Sequence, residues 1–154
     1  MTTACADIKV AAVMLFDADG RMLLVRKKGT RCFMQPGGKA EPGESFRHAA
    51  CRELHEEIGL QLSPEDLIDC GVYSAEAANE PGSQVVANVF AAFCITTVKA
   101  AAEIEELVWI DPGQPANLRL APLTANSIYT LARGFDVSSL PGMPHRDKPE
   151  ASTN

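Results

Sequence analysis

The sequence predicts an α+β fold, or a sheet sandwich with flanking helices. Apolar, β-rich stretches outnumber the helix-forming ones, and their order is not the regular strand–helix alternation that a parallel sheet requires. With 154 residues, 46% of them hydrophobic, the chain has the length of one domain with its own core.

Each element follows from local chemistry. Ile8 to Phe16 is apolar and β-rich, Asp17-Ala18-Asp19-Gly20 is a turn signal, and Arg21 to Arg26 is a second strand, so the two are expected as a hairpin. Lys27 to Arg31 reads as a basic loop. Cys32-Phe33-Met34 reads as a short strand ended by Pro36-Gly37-Gly38. Ser45 to Ile58 consists of helix formers, with Ser45 as N-cap and Gly59 as C-terminal stop. Leu67 to Ala77 and Gln84 to Thr97 are expected as strands about the turn Asn79-Glu80-Pro81-Gly82. Ile104 to Ile110 is a further strand, and Thr124 to Arg133 a closing helix before Gly134. The expected domain is 1–136. Residues 137–154, with Pro141, Pro144 and Pro149 among small and polar residues, are expected as a disordered tail.

Charge and cysteine usage exclude several functions. The chain carries 14 basic and 20 acidic residues, net −6, and lacks the basic stripe that a nucleic-acid duplex requires. No apolar run approaches the roughly 18 residues of a membrane span. Val10 to Phe16 is too short and follows no basic leader, so a secretory signal is not expected. Cys5, Cys32, Cys51, Cys70 and Cys94 are odd in number and lack a Cys-x-x-Cys pair. They are expected as free thiols of a reduced, cytoplasmic protein rather than a disulfide or zinc framework.

The chemistry-bearing stretch is Gly38 to Leu60, GKAEPGESFRHAACRELHEEIGL. At about 100° per residue, Glu53, Glu56 and Glu57 share one arc of the helix and Ala50, Cys51, Leu54 and Ile58 the adjacent core arc. His48, Arg52 and His55 fall on the third, with Arg52 one turn before Glu56, where the two can pair. Such a carboxylate face is self-repulsive unless it is simply solvated or is neutralised by a hard divalent cation such as Mg²⁺ or Mn²⁺. Glu44 and the backbone of the Gly37-Gly38 turn stand where they would complete an oxygen site, because a residue without Cβ permits close approach.

The same stretch resembles the Nudix box without a miss. Gly38, Glu44, Arg52, Glu53, Leu54, Glu56, Glu57, Gly59 and Leu60 occupy its positions; by residue frequencies, chance gives such a match on the order of 10⁻⁹ times at a given start. Pro36-Gly37-Gly38-Lys39 at the opening of the box, and Glu103 ahead of the Trp109-containing strand, extend the resemblance over the chain before the tail.

The resemblance implies an α/β/α sandwich and a Mg²⁺-dependent hydrolase, with Mn²⁺ as a substitute, that cleaves a nucleoside diphosphate linked to another group. Carried over by position, Glu53, Glu56 and Glu57 are implied as metal ligands, Glu44 and Glu103 as additional ones and Gly38 as a backbone ligand. Arg52 would orient the carboxylates. Glu53 is the first choice for the base that takes the proton of the attacking water, with Glu103 and Glu56 as alternatives. Lys39, Arg26 and Lys27 surround the glycine turn as candidate phosphate contacts, and Arg26 and Lys39 are preferred; Lys27 taken alone reads better as part of a solvated loop. Trp109 is expected in the core.

A small nucleotide such as a nucleoside triphosphate is the expected substrate. ADP-ribose and dinucleoside polyphosphates are weakened as alternatives, because Glu76-Ala77-Ala78-Asn79 lacks the proline or tyrosine that such members tend to carry there. A non-catalytic nucleotide-binding module is the alternative from another class, although such modules usually show a degraded box. Family members are often dimers, so a homodimer is one implied assembly. Bound cations would also reconcile the net charge of −6 with a polyphosphate ligand.

Overall fold

The computed structural model describes residues 7–114 and 117–144. β1 (Ile8–Phe16) is the centre of a mixed sheet completed by β2 (Met22–Lys27), β3 (Gly37–Lys39), β4 (Ile68–Glu76), β5 (Gln84–Phe93) and β6 (Ile104–Ile110). The strand order is β4-β5-β1-β2-β6, with β3 also paired to β1. β1 and β5 run parallel, from Ile8 opposite Val85 to Phe16 opposite Phe93. The helix α1 (Phe46–Ile58) covers one face. A π-helical turn, Thr124–Ile128, leads into the short α2 (Tyr129–Arg133) on the other.

Side-chain alternation along β1 explains the layering. Ala11, Val13 and Leu15 join the core beneath α1 with Leu54 and Ile58, whereas Ala12, Met14 and Phe16 join the opposite core with Ile128 and Ala132. A strand buried on both faces reads as an uninterrupted apolar run, as Ala11–Phe16 does. α1 begins where expected: Ser45 Oγ accepts from the His48 amide at 3.1 Å. It also ends where expected, with Gly59 in the left-handed conformation at φ 72 and its N–H donating to the His55 carbonyl.

Several expectations are corrected. The glycine turn is a strand: Gly37, Gly38 and Lys39 pair antiparallel with Ala12, Ala11 and Val10. β3 thereby occupies the edge of β1 that a full hairpin would use, and β1 meets β2 only at Phe16 opposite Met22. Cys32-Phe33-Met34 forms only isolated bridges, Met34 to Val25 and Phe33 to Leu120. The strand expected to reach Thr97 ends at Phe93, where β1 also ends and pairing stops. The supposed tail begins with a 3₁₀ turn, Val137–Ser139, and Leu140 is 3% exposed against Phe16 and its neighbours. Burial of Leu140, Val137 and Met143 supplies the reason to fold that their proline-rich context concealed. The remainder of the expected tail, 145–154, lies outside the described residues.

Of the cysteines, Cys32, Cys51 and Cys70 are half-buried and Cys94 is buried, all as free thiols; Cys5 lies outside the described residues. Trp109 packs against the core beneath α1, as expected. No helix among the described residues is long and apolar enough to cross a membrane.

Candidate active site

β3 lays the opening of the acidic stretch against α1. Gly38 stands so close to the helix that a Cβ there would lie 2.8 Å from Glu53 Cδ and Oε1. Gly37 is pressed as closely on the other side: its φ is +148, and a Cβ would lie 2.0 Å from the Ala11 carbonyl oxygen. The amide of Gly37 donates to Glu57 Oε1 at 3.3 Å. One glycine thus makes room for a carboxylate and the other for the central strand.

The three helix carboxylates do not share one environment. Glu57 is buried, Glu53 half-buried and Glu56 exposed. Burial, and then the adjacent Glu53, push the Glu57 carboxyl well above the ordinary range, despite the opposing hydrogen bond from Gly37. Such an environment favours the protonated carboxyl, and a bound cation would relieve the same penalty.

Arg52 lies in the middle of the acids rather than on an outer face. Its Nε and Nη2 donate to Glu44 at 2.9 Å each, Nη1 to Glu53 at 2.9 Å and to Glu56 at 3.3 Å, and Nη2 also to the Lys39 carbonyl at 2.9 Å. Those hydrogen bonds hold the Glu44 carboxyl down at about 2. The five-donor fork of a guanidinium suits this role, which a lysine would fill only partly.

Among the described residues, no three acids, histidines or cysteines are already gathered tightly enough to hold a metal ion. The donor set nevertheless fits a hard divalent cation. It offers carboxylate oxygens beside a glycine backbone, a cradle that a Cβ would fill, and the half-buried Glu53 next to the buried Glu57, whose carboxyl has no cationic hydrogen-bond partner among the described residues.

A cleft of about 670 Å³ opens beside this helix, and Gly38, Lys39, Arg52, Glu53, Lys27 and Glu103 line it. It thus brings together the glycine turn, the acidic helix and the acid that precedes β6. Arg26 is a correction to the preferred phosphate contacts. Its side chain turns to Glu106 on β6, Nη2 to Oε1 at 3.1 Å, and to the Thr30 carbonyl at 2.9 Å. Its neighbour Lys27, across a shift in the β2–β6 register, lines the cleft instead. His48 and His55 are exposed, and His48 Nδ1 lies 2.7 Å from Ser45 Oγ at the helix cap.

The cleft also holds residues that the sequence did not single out. Gln35 and Thr124 line it and are buried, joined by a 2.8 Å hydrogen bond from Thr124 Oγ1 to Gln35 Oε1. The one signal for Gln35 was a polar side chain between Met34 and Pro36 in an otherwise apolar run.

The fold is a mixed sheet between helices, and its site is a glutamate helix laid against a glycine strand. The family model of the NUDIX domain matches residues 7–131, and the chain belongs to the Nudix hydrolase family. An ADP-ribose pyrophosphatase of Methanocaldococcus jannaschii is 36% identical over 84 residues, 53% of this chain and 48% of that protein. The chain therefore spans about half the length of that relative. A CTP pyrophosphohydrolase of Escherichia coli is 29% identical over 120 residues, 75% of this chain and 84% of that one. The solved structure of a MutT protein from Methanosarcina mazei Go1 shares the fold, with a TM-score of 0.70 at 22% identity over 86% of this chain and 96% of that one.

Proposed function

We propose that the protein is a divalent-metal-dependent pyrophosphohydrolase that acts on a nucleoside triphosphate or a closely related nucleotide, with Mg²⁺ as the metal and Mn²⁺ as its substitute. The observation that carries this reading is the Glu53–Glu57 pair beside the glycine strand, with Glu53 packed against Gly38 at the wall of the cleft and Glu57 buried behind it. Glu53, Glu56 and Glu57, with the Gly38 backbone and with Glu44 and Glu103 as additional ligands, would hold the metal. When bound, a divalent cation neutralises phosphate oxygens and acidifies a water.

The chain's own residues do the rest. Glu53 takes the proton from the water that attacks phosphorus; the anhydride P–O bond breaks, and the leaving phosphate departs with its electron pair. Lys39 and Lys27 stand at the cleft as charge partners for the phosphates. Arg52 fixes the rotamers of Glu44, Glu53 and Glu56, so that the carboxylates are ordered before substrate arrives.

A second reading, cleavage of ADP-ribose, is favoured by the name of the archaeal relative. Hydrolysis of a panel containing nucleoside triphosphates, oxidised deoxynucleotides, ADP-ribose and dinucleoside polyphosphates, with and without Mg²⁺, separates the two. Preferred release of pyrophosphate from triphosphates supports the first reading, preferred cleavage of ADP-ribose supports the second, and no metal-dependent hydrolysis of any substrate refutes both.

A further inference from the structure

The cleft contains a polar pair that phosphate chemistry does not use. Gln35 is 6% exposed and Thr124 is 0% exposed. Thr124 Oγ1 donates to Gln35 Oε1, which occupies the carbonyl of the amide and sets its orientation. The other end, Nε2, is buried and has no hydrogen-bond partner among the described residues. A buried amide N–H without an acceptor is destabilising, and a ligand that brings an acceptor removes that penalty.

The donor is held in place on both sides. The Phe33 amide donates to the Arg119 carbonyl at 2.8 Å, the Ala121 amide to the Phe33 carbonyl at 2.9 Å, and the Val13 amide to the Pro36 carbonyl at 3.0 Å. Its neighbours in register and chain, Ala12, Ala121 and Leu123, are buried apolar residues that also line the cleft. Gln35 precedes Gly38 by three residues, so their Cα atoms lie within about 11 Å of each other. A nucleotide is long enough to span that distance, which would set its phosphates beside Glu53 and its flat base against these apolar residues.

We propose that Gln35 selects the base, its Nε2 donating to the exocyclic oxygen of a keto base, and that guanine and uracil nucleotides are therefore preferred to adenine and cytosine nucleotides. Adenine and cytosine carry an amino group where guanine and uracil carry the oxygen, so the amide would meet a second donor in a buried site. This inference rests on the proposed hydrolysis of nucleotides and adds which of them are taken.

The test is kcat/KM for GTP, UTP, ATP and CTP with Mg²⁺, in the wild type and in Gln35→Met, Gln35→Glu and Thr124→Val. The wild type is expected to favour the keto pair roughly ten- to a hundredfold. Gln35→Met brings the ratio toward one, Gln35→Glu, which only accepts, inverts it, and Thr124→Val, which releases the amide to rotate, narrows it. Equal wild-type rates on all four overturn the base assignment while leaving the hydrolase reading intact. A wild-type ratio preserved in the Gln35 variants overturns the role of Gln35. Absence of hydrolysis of every nucleotide refutes the hydrolase reading itself.

Discussion

Two adjacent glycines should fail in different ways when each gains one methyl group. At Gly37 a Cβ would lie 2.0 Å from the Ala11 carbonyl oxygen and 2.9 Å from its carbon, at a φ of +148 that L residues rarely adopt. Nothing there is the end of a flexible side chain, so β3 must leave β1. Strained φ costs about 1–3 kcal/mol, and lost pairing brings the total to about 3–5 kcal/mol. At about 3 °C per kcal/mol for a domain of this size, Gly37→Ala should lower Tm by roughly 10 °C or more.

At Gly38 the Cβ would meet Glu53 Cδ and Oε1 at 2.8 Å, where ordinary contact begins at 3.4 Å. The Glu53 carboxylate can retreat by that difference while the backbone stays. Because a displacement of about 1 Å at a reacting group costs on the order of a hundredfold, Gly38→Ala should reduce kcat/KM about ten- to a hundredfold. Its Tm should change by no more than about 3 °C. Thermal melting by circular dichroism and metal-dependent hydrolysis, measured on both variants, read the two effects. A Gly37→Ala protein as stable as wild type, or a Gly38→Ala protein with unchanged kcat/KM, would refute the steric argument.

Three further outcomes follow from the same geometry. In the metal-free fold, burial and the adjacent Glu53 raise the Glu57 carboxyl above its unfolded value. Its contribution is therefore complete below pH 4.5 and is lost as pH rises toward its elevated folded value, at up to about 1.4 kcal/mol per pH unit. In chelator, Glu57→Gln should lack this slope, so that its advantage in Tm over wild type grows with pH; parallel curves would contradict the buried acid pair. Arg52→Gln should raise the Glu44 carboxyl from about 2 toward the ordinary range, read by carboxyl-carbon NMR titration, and an unmoved Glu44 would show that Arg52 does not govern it. Leu140→Ala should cost about 2–3 kcal/mol in urea unfolding if residues 137–144 are part of the core, and a loss near zero would return them to the tail.

The parts of the fold legible in the sequence were those with a local cause. α1 was readable at both ends because Ser45 and Gly59 are caps whose function needs only their own turn. β6 was readable from Ile104 to Ile110 without error. β3 was not, since Gly-Gly-Lys has no strand propensity and is extended only because Ala11 and Ala12 offer a partner edge. The helix arcs placed Glu53, Glu56 and Glu57 together, but periodicity alone could not tell that β3 would cover Glu57 and leave Glu56 exposed. Arg26 and Lys27 differ by one strand position, and only the pairing of β2 with β6 decides which faces the cleft. Gln35 and Thr124 lie 89 residues apart, so their contact is tertiary and had no sequence signature.

The central claim, that the acidic helix is a metal-dependent hydrolytic site, is tested most directly by pyrophosphate release from nucleoside triphosphates with Mg²⁺ in the wild type and in Glu57→Gln, whose folded state is confirmed by its melting curve. Hydrolysis that requires Mg²⁺ and falls by at least a hundredfold in the folded variant is the predicted result. Hydrolysis that persists in chelator, or that survives Glu57→Gln undiminished, would contradict it.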